Sequence, residues 1–238
     1  MTKTLIQLAQ EEHLRNNKIV AAAKINGKLE ELTDSIPDNG QIEMVTTDTK
    51  IGIETYRRSV LMLMLSAVHN MFPSDKKIKV SVEFSVSKGL FCDIKSDFKV
   101  TDEFLINLKE KMMEYVKKDL PINKRTLKTS EAMGLFEEYG MDDKAKLFKY
   151  RTDSYISMYE LDGYNDYFYG YMMPSTGELG IFDLFRYKDG FVLQLPVKEA
   201  PYDVPEFVPQ NKVSDVLSNS THWAEMMDMH TVGDINQH

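Results

Sequence analysis

Cysteine is almost absent: Cys92 is the single one in 238 residues. That excludes an intrachain disulfide and any metal site built on several cysteines, and a lone thiol suits a reducing compartment. A phosphate-binding loop of the G-x-x-x-x-G-K-[ST] type is missing; Gly27-Lys28 is followed by Leu29, so these residues carry no nucleotide kinase site. No G-x-S-x-G nucleophile turn occurs either. The longest apolar run, residues 60–65, is too short to cross a bilayer. The first residues lack a basic stretch followed by an apolar core, so no signal peptide is expected and the chain reads as cytoplasmic, with no membrane partner. The five histidines, His13, His69, His222, His230 and His238, are scattered without metal-ligand spacing. A net charge of −8 repels nucleic acid as a whole, so any RNA or phosphate contact needs a local basic patch.

What is present is ordinary for a globular protein: 42 % hydrophobic and 28 % charged residues, enough for one large or two modest domains. The 15 methionines scatter through apolar segments, as adaptable core filler would. Thr4 to Ala9 opens a helix; residues 19–25 read as a strand; Asn26-Gly27 is a strong hairpin signal before residues 28–32. Pro37-Asp38-Asn39-Gly40 turns the chain, and residues 42–45 form a closing strand. After a polar linker at residues 47–50, a helix is expected from about Glu54 to Met71, buried on most faces. Residues 79–86 alternate with period two, Ser87-Lys88-Gly89 turns, and residues 90–94 return. Thr101 caps a helix to Lys118, with Asp102 and Glu103 in its first turn and Lys117 and Lys118 in its last, which suits the helix dipole. Further helices are expected over 129–139 and 142–148, and strands over 154–161, 180–185 and 191–196. Pro196, Pro201, Pro205 and Pro209 mark an extended connector, and residues 213–229, with Trp223, form a tail helix.

Three features bear on chemistry. Tyr164, Tyr167, Tyr169 and Tyr171 crowd one short stretch, and on a strand Tyr167, Tyr169 and Tyr171 share a face. They are either the aromatic side of a half-buried strand or a platform on which a base stacks. Arg57 and Arg58 stand near the expected start of the buried helix, where cations oppose the dipole; they are a solvated pair or an anion site, within reach of Lys88 on its turn. Lys144, Lys146, Lys149 and Arg151 form a basic stretch that reads as a solvated face.

Tyr56-Arg57-Arg58-Ser59 and the run from Tyr164 to Gly180 resemble the editing-type second domain of threonyl-tRNA synthetases, and the segment before them resembles a TGS module without its opening hairpin. In that family a His-x-x-x-His pair and a Cys-x-x-x-His pair occupy the two places; here they are Arg58 with Met62 and Phe168 with Met172. None of these four is an ordinary zinc ligand. Within this resemblance, the stretches 56–59, 85–92, 143–151, 166–177 and 207–210 look like the N-terminal region of bacterial uridine kinase-like (nucleoside kinase) proteins.

The resemblance implies an α+β fold: a small partial β-grasp (TGS-like) module over 1–48, then a domain over 52–196 like the second additional domain of threonyl- and alanyl-tRNA synthetases. Residues 197–238 then lead towards a P-loop kinase domain that these residues do not contain. It implies no catalytic residue, metal or cofactor here, ATP and Mg belonging only to that kinase domain. The function implied is that of a non-catalytic, regulatory region whose degenerate cleft binds a nucleotide, a tRNA acceptor end or another anion. Arg57, Arg58 and Lys88 would hold the anion, and Tyr167, Tyr169 and Tyr171 would pack on a base or ribose. The alternatives are metal-independent deacylation of mischarged tRNA and a structural or dimerisation region.

Overall fold

The computed structural model describes residues 3–37, 39–72, 78–95, 98–138, 144, 148 and 154–210. The expected tail helix, the end of the 129–139 helix and most of the basic 142–151 stretch lie outside them.

Helix α1 (Leu5–Asn16) starts at a capping box: Thr4 Oγ1 accepts from Gln7 N at 3.2 Å, and Gln7 Oε1 accepts from Thr4 N at 3.0 Å. Strands β1 (Val20–Ile25) and β2 (Lys28–Glu30) turn at Asn26 and Gly27, with φ of 53° and 81°, the left-handed pair that a two-residue hairpin requires. With β3 (Ile42–Thr46) they form an antiparallel sheet in the order β2-β1-β3, so β2 and β3 are its edges. Leu5 and Ala9 of α1 pack against Val20, Ala23, Ile25 and Leu32 in a small core.

Helix α2 (Lys50–Met71) begins earlier than the expected Glu54. Thr49 is its cap, its Oγ1 accepting from Gly52 N at 3.1 Å. Gly52 reads as a helix breaker, but it is what lets the first turn sit against β3: a Cβ there would meet the Thr46 carbonyl at 2.0 Å. The earlier start puts Arg57 and Arg58 beyond the first turn, clear of free helix N–H groups, so the expected dipole cost does not arise.

Strands β4 (Lys79–Val86) and β5 (Gly89–Lys95) join through Ser87 and Lys88, at φ 49° and 68°. Helix α3 (Asp102–Lys118) follows with the Thr101 cap and terminal charges that the sequence implies, burying Phe104, Leu105, Leu108, Met112 and Tyr115 along one side. Next come β6 (Asn123–Lys128), α4 (Thr129–Glu138), β7 (Tyr155–Leu161), β8 (Tyr164–Tyr167), β9 (Asp183–Tyr187) and β10 (Gly190–Gln194). Two more antiparallel sheets result, β4-β5-β10-β9 and β6-β7-β8. Strand β6 has no counterpart in the sequence expectations, and β9 starts three residues later than its expected Gly180.

One large core gathers Tyr56, Val60, Leu63 and Ala67 of α2, Leu108, Met112 and Tyr115 of α3, and Tyr159 and Leu161 of β7. Ile19 and Ala21, next to and within β1, belong to it too. The proline-bearing segment, expected as an extended connector, is strapped to the body of the fold. Phe207 stacks on Phe185 with centroids 5.3 Å apart, Val208 N donates to Ser87 Oγ at 2.8 Å, and buried Gln194 donates through Nε2 to Pro205 O at 3.2 Å. The fold is mixed α+β.

Candidate functional site

The places matching the resembled hydrolytic pairs do come together, on α2 and on the segment after β8. Met62 and Met172 are fully buried in the large core, and Phe168 packs against it. Ser59, one helical position past Arg58, donates to Thr55 O at 2.9 Å and accepts from Met173 N at 2.8 Å, which clamps the segment onto α2. Among the described residues no three His, Cys, Asp or Glu side chains are grouped so that they could hold a metal ion.

The two arginines diverge. Arg57 donates to Pro196 O and Lys88 O, each at 2.9 Å, and so ties α2 to the β4–β5 turn and the exit of β10. Arg58 turns to the other segment and donates through Nη1 to Tyr171 O at 2.5 Å. Lys88 meets Arg57 through its backbone carbonyl while its side chain is exposed. The expected convergence of Arg57, Arg58 and Lys88 on one cleft is therefore not what the fold provides: adjacent helical residues point about 100° apart, and here they serve different loops.

The tyrosines diverge as well, because β8 ends at Tyr167 and the shared face ends with it. Tyr167 lies edge-on to Phe148 at 4.7 Å, in the cluster of α4 and β7. Tyr169 is 82 % exposed. Tyr171 is half-buried and donates to Leu29 O at 3.0 Å, across to the N-terminal hairpin. Gly170 breaks the strand at φ 117°, a region open to glycine.

The centre of the site is a residue that sequence reasoning missed, Glu31. It follows β2 directly and is 2 % exposed. Its Oε1 accepts from Tyr159 Oη at 2.6 Å and from Met172 N at 3.0 Å, and Lys124 Nζ lies 3.2 Å from its Oε2. The carboxylate thus meets a phenol from β7, a backbone N–H from the segment after β8 and an ammonium from β6. Burial pushes the Tyr159 phenol well above its ordinary range, and the adjacent Glu31 raises it further, so it stays a protonated donor. Gly170 O, 2.9 Å from the same hydroxyl, is its second neighbour. Nothing local marks Glu31: Glu30-Glu31 after a hairpin reads as a solvated edge, and its partners lie more than 90 residues away.

Strand β6 adds a basic rim. Lys124, Arg125 and Lys128 are exposed, Lys128 is paired in register with Tyr155, and Tyr155 is 60 % exposed. This edge pairs with β7 alone. Lysines on such an edge also discourage sheet-to-sheet pairing.

The chain is similar to threonine-tRNA ligases. It is 32 % identical over 167 residues to the enzyme of Geobacter sp. strain M21, covering 70 % of this chain and 26 % of that protein. With the Carboxydothermus hydrogenoformans enzyme it shares 32 % identity over 184 residues, or 77 % of this chain and 28 % of the relative. The Aquifex aeolicus enzyme is 31 % identical over 162 residues, 67 % of this chain and 25 % of that protein. The chain thus spans about a quarter of the length of the curated relatives it matches. No protein-family model matches it. These relatives support the editing-like part of the sequence expectation, and the α+β fold agrees with it. They lend no support to a uridine kinase-like parent. Among the described residues no helix is long and apolar enough to cross a membrane.

Proposed function

We propose that this chain is an editing-like domain that recognises tRNA acceptor ends without cleaving the aminoacyl ester. The observation that supports the non-hydrolytic half is that Met62 and Met172 are buried in the large core and the Glu31 carboxylate accepts from Met172 N. An ester hydrolase needs a base or nucleophile that can reach a water or the carbonyl carbon. Here Tyr159 is held protonated, both oxygens of Glu31 are engaged, and the Cys92 thiol is buried in the large core with its pKa pushed up to about 12 by desolvation.

The tRNA half is supported by the likeness to threonine-tRNA ligases and by the basic rim of β6, with Tyr155 and Tyr169 as exposed surfaces for stacking. Lys88, exposed on the β4–β5 turn, fits an outer contact to the phosphate backbone better than a pocket, while the Arg57 guanidinium is taken up by Pro196 O and Lys88 O. A chain with net charge −8 needs such a local patch to approach RNA at all. The reading stands without a kinase domain as partner.

The test is one titration and one time course. Bulk deacylated tRNA is titrated into the protein at low and moderate salt, and aminoacyl-tRNA is incubated with it. Salt-sensitive binding with no ester loss beyond buffer is the expected result. Protein-dependent ester cleavage would favour metal-independent deacylation instead, and no binding at low salt would end the recognition reading.

A further inference from the structure

The three groups that meet Glu31 belong to three different elements, and none lies on the hairpin that delivers it. Tyr159 Oη, Met172 N and Lys124 Nζ come from β7, the segment after β8, and β6. All three are donors, and all converge on one carboxylate. Arg58 adds positive potential beside them: Glu31 and Tyr159 both act on its guanidinium. Take the Glu31 side chain away and an assembled anion site remains in the larger part of the fold.

We propose that this pocket is a binding site for a ligand carboxylate, and that Glu31 is its resident occupant. Several observations favour an exchangeable occupant over a permanent structural pair. The Lys124 side chain keeps a relative accessibility of 34 %, so this one of the three partners reaches solvent while Glu31 itself is covered. Glu31 stands outside β2, so its side chain can turn away without breaking a ladder hydrogen bond of that strand. Its backbone N–H is held separately, donating to Asp34 Oδ2 at 2.7 Å, which keeps the main chain in place while the side chain leaves. The number of donors also matches. A carboxylate offers two oxygens and takes one phenol, one amide N–H and one ammonium in this arrangement. The occupant is thus a small planar anion or the carboxylate end of a larger molecule, entering past Lys124 and Tyr171, whose ring centre lies 6.0 Å from the ammonium.

This proposal rests on the reading of the domain as a recognition module rather than a hydrolase, but its test uses no tRNA, so either can fail alone. Glu31→Ala removes Cγ and the carboxylate, which together have the heavy atoms of acetate. Acetate is titrated into the wild type and into E31A, against chloride at equal ionic strength, with the thermal midpoint as readout. At ten times its dissociation constant for E31A, acetate is expected to raise the E31A midpoint by about 4 °C, and at higher concentration to raise the wild type by a smaller, saturable amount as it displaces Glu31; a wild type that never responds would make Glu31 a fixed partner and overturn the proposal. Adding Tyr159→Phe or Lys124→Met to E31A is expected to abolish the rise. Equal responses of wild type and folded E31A overturn the proposal, and so does a rise with inorganic phosphate that matches or exceeds the rise with acetate. Should E31A not fold, Glu31→Gln preserves the volume without the charge. Acetate is expected to displace that amide and raise the midpoint above the wild-type response, and no difference from wild type overturns the proposal.

Discussion

The guanidinium of Arg58 occupies the space that a side chain on Gly170 would need. A Cβ at residue 170 would lie 2.7 Å from Arg58 Cζ and 2.8 Å from Nη2, and the backbone there has φ 117°. The missing side chain of one residue and the long side chain of the other are therefore a single packing unit, closed by the bond from Arg58 to Tyr171 O.

Gly170→Ala is expected to destabilise the protein by about 1–3 kcal/mol, through overpacking and through a backbone angle unsuited to alanine. In an Arg58→Ala background the same change should cost about 1 kcal/mol less, because the clash is gone and only the backbone penalty remains. Urea unfolding of the four proteins in the cycle measures the difference. Equal costs in both backgrounds would mean that Arg58 simply moves aside.

Tyr159→Phe removes the hydroxyl that donates to the Glu31 carboxylate at 2.6 Å. A buried carboxylate that loses a donor carries the desolvation cost with less in return, so a loss of about 1–3 kcal/mol is expected. Glu31→Gln combined with Tyr159→Phe should lose less than the sum of the single changes, since the neutral amide needs the phenol less. Chemical denaturation of the single and double variants settles it.

His69 ties stability to pH. Its ring sits against Tyr164, centroids 5.2 Å apart, and burial lowers its pKa from the ordinary 6.5. The unfolded chain therefore binds the proton more readily than the folded one, and stability rises with pH across that window. The contribution is full above the unfolded value and is lost as pH falls through it towards the folded one. Unfolding midpoints measured between about pH 7.5 and about pH 5.5 should drop on the acid side. Histidine 69 replaced by glutamine (His69→Gln) should flatten the part of the slope that this residue supplies.

If the rim of β6 meets RNA, Arg125→Gln with Lys128→Gln should weaken tRNA binding at low salt and reduce the slope of log affinity against log salt by about 2. Lys124 is kept intact in this variant because it holds Glu31. An unchanged slope would place the RNA contact elsewhere.

Cys92 offers a clock for unfolding. It is fully buried on β5, and desolvation pushes its thiol up to about 12. A thiol reagent near pH 8 should label it only as fast as the chain opens, and labelling should speed up on addition of urea in step with unfolding.

Much of this architecture is legible in the residues. Thr4 with Gln7, Thr101 with Asp102 and Glu103, and Asn26-Gly27 each carry a local instruction that the fold obeys. The misses have a common cause, which is that the deciding partner is remote. The start of α2 hid behind Gly52, whose role is a close approach to Thr46. Strand β6 is polar at nearly every position and owes its existence to pairing with β7. The run after Tyr167 looks like a continuing strand, yet Gly170 bends it so that Arg58 and Tyr159 can reach its carbonyls. Of the candidate site, the apolar residues Met62, Phe168 and Met172 and the neighbouring Arg58 are plain in the sequence. Glu31 could not, because only the tertiary fold distinguishes it from Glu30.

Strand β1 has a last implication. Its alanines, Ala21, Ala22 and Ala23, are all fully buried, and the strand gives Ala21 to the large core and Val20, Ala23 and Ile25 to the small one. One strand is thus the party wall of both compartments, and its small side chains set how closely they stand. Cutting the chain between β3 and α2 would not release two sound pieces; each would carry away a raw apolar surface. Calorimetry of the intact protein should accordingly trace a single heat-absorption peak for these two parts, not a pair.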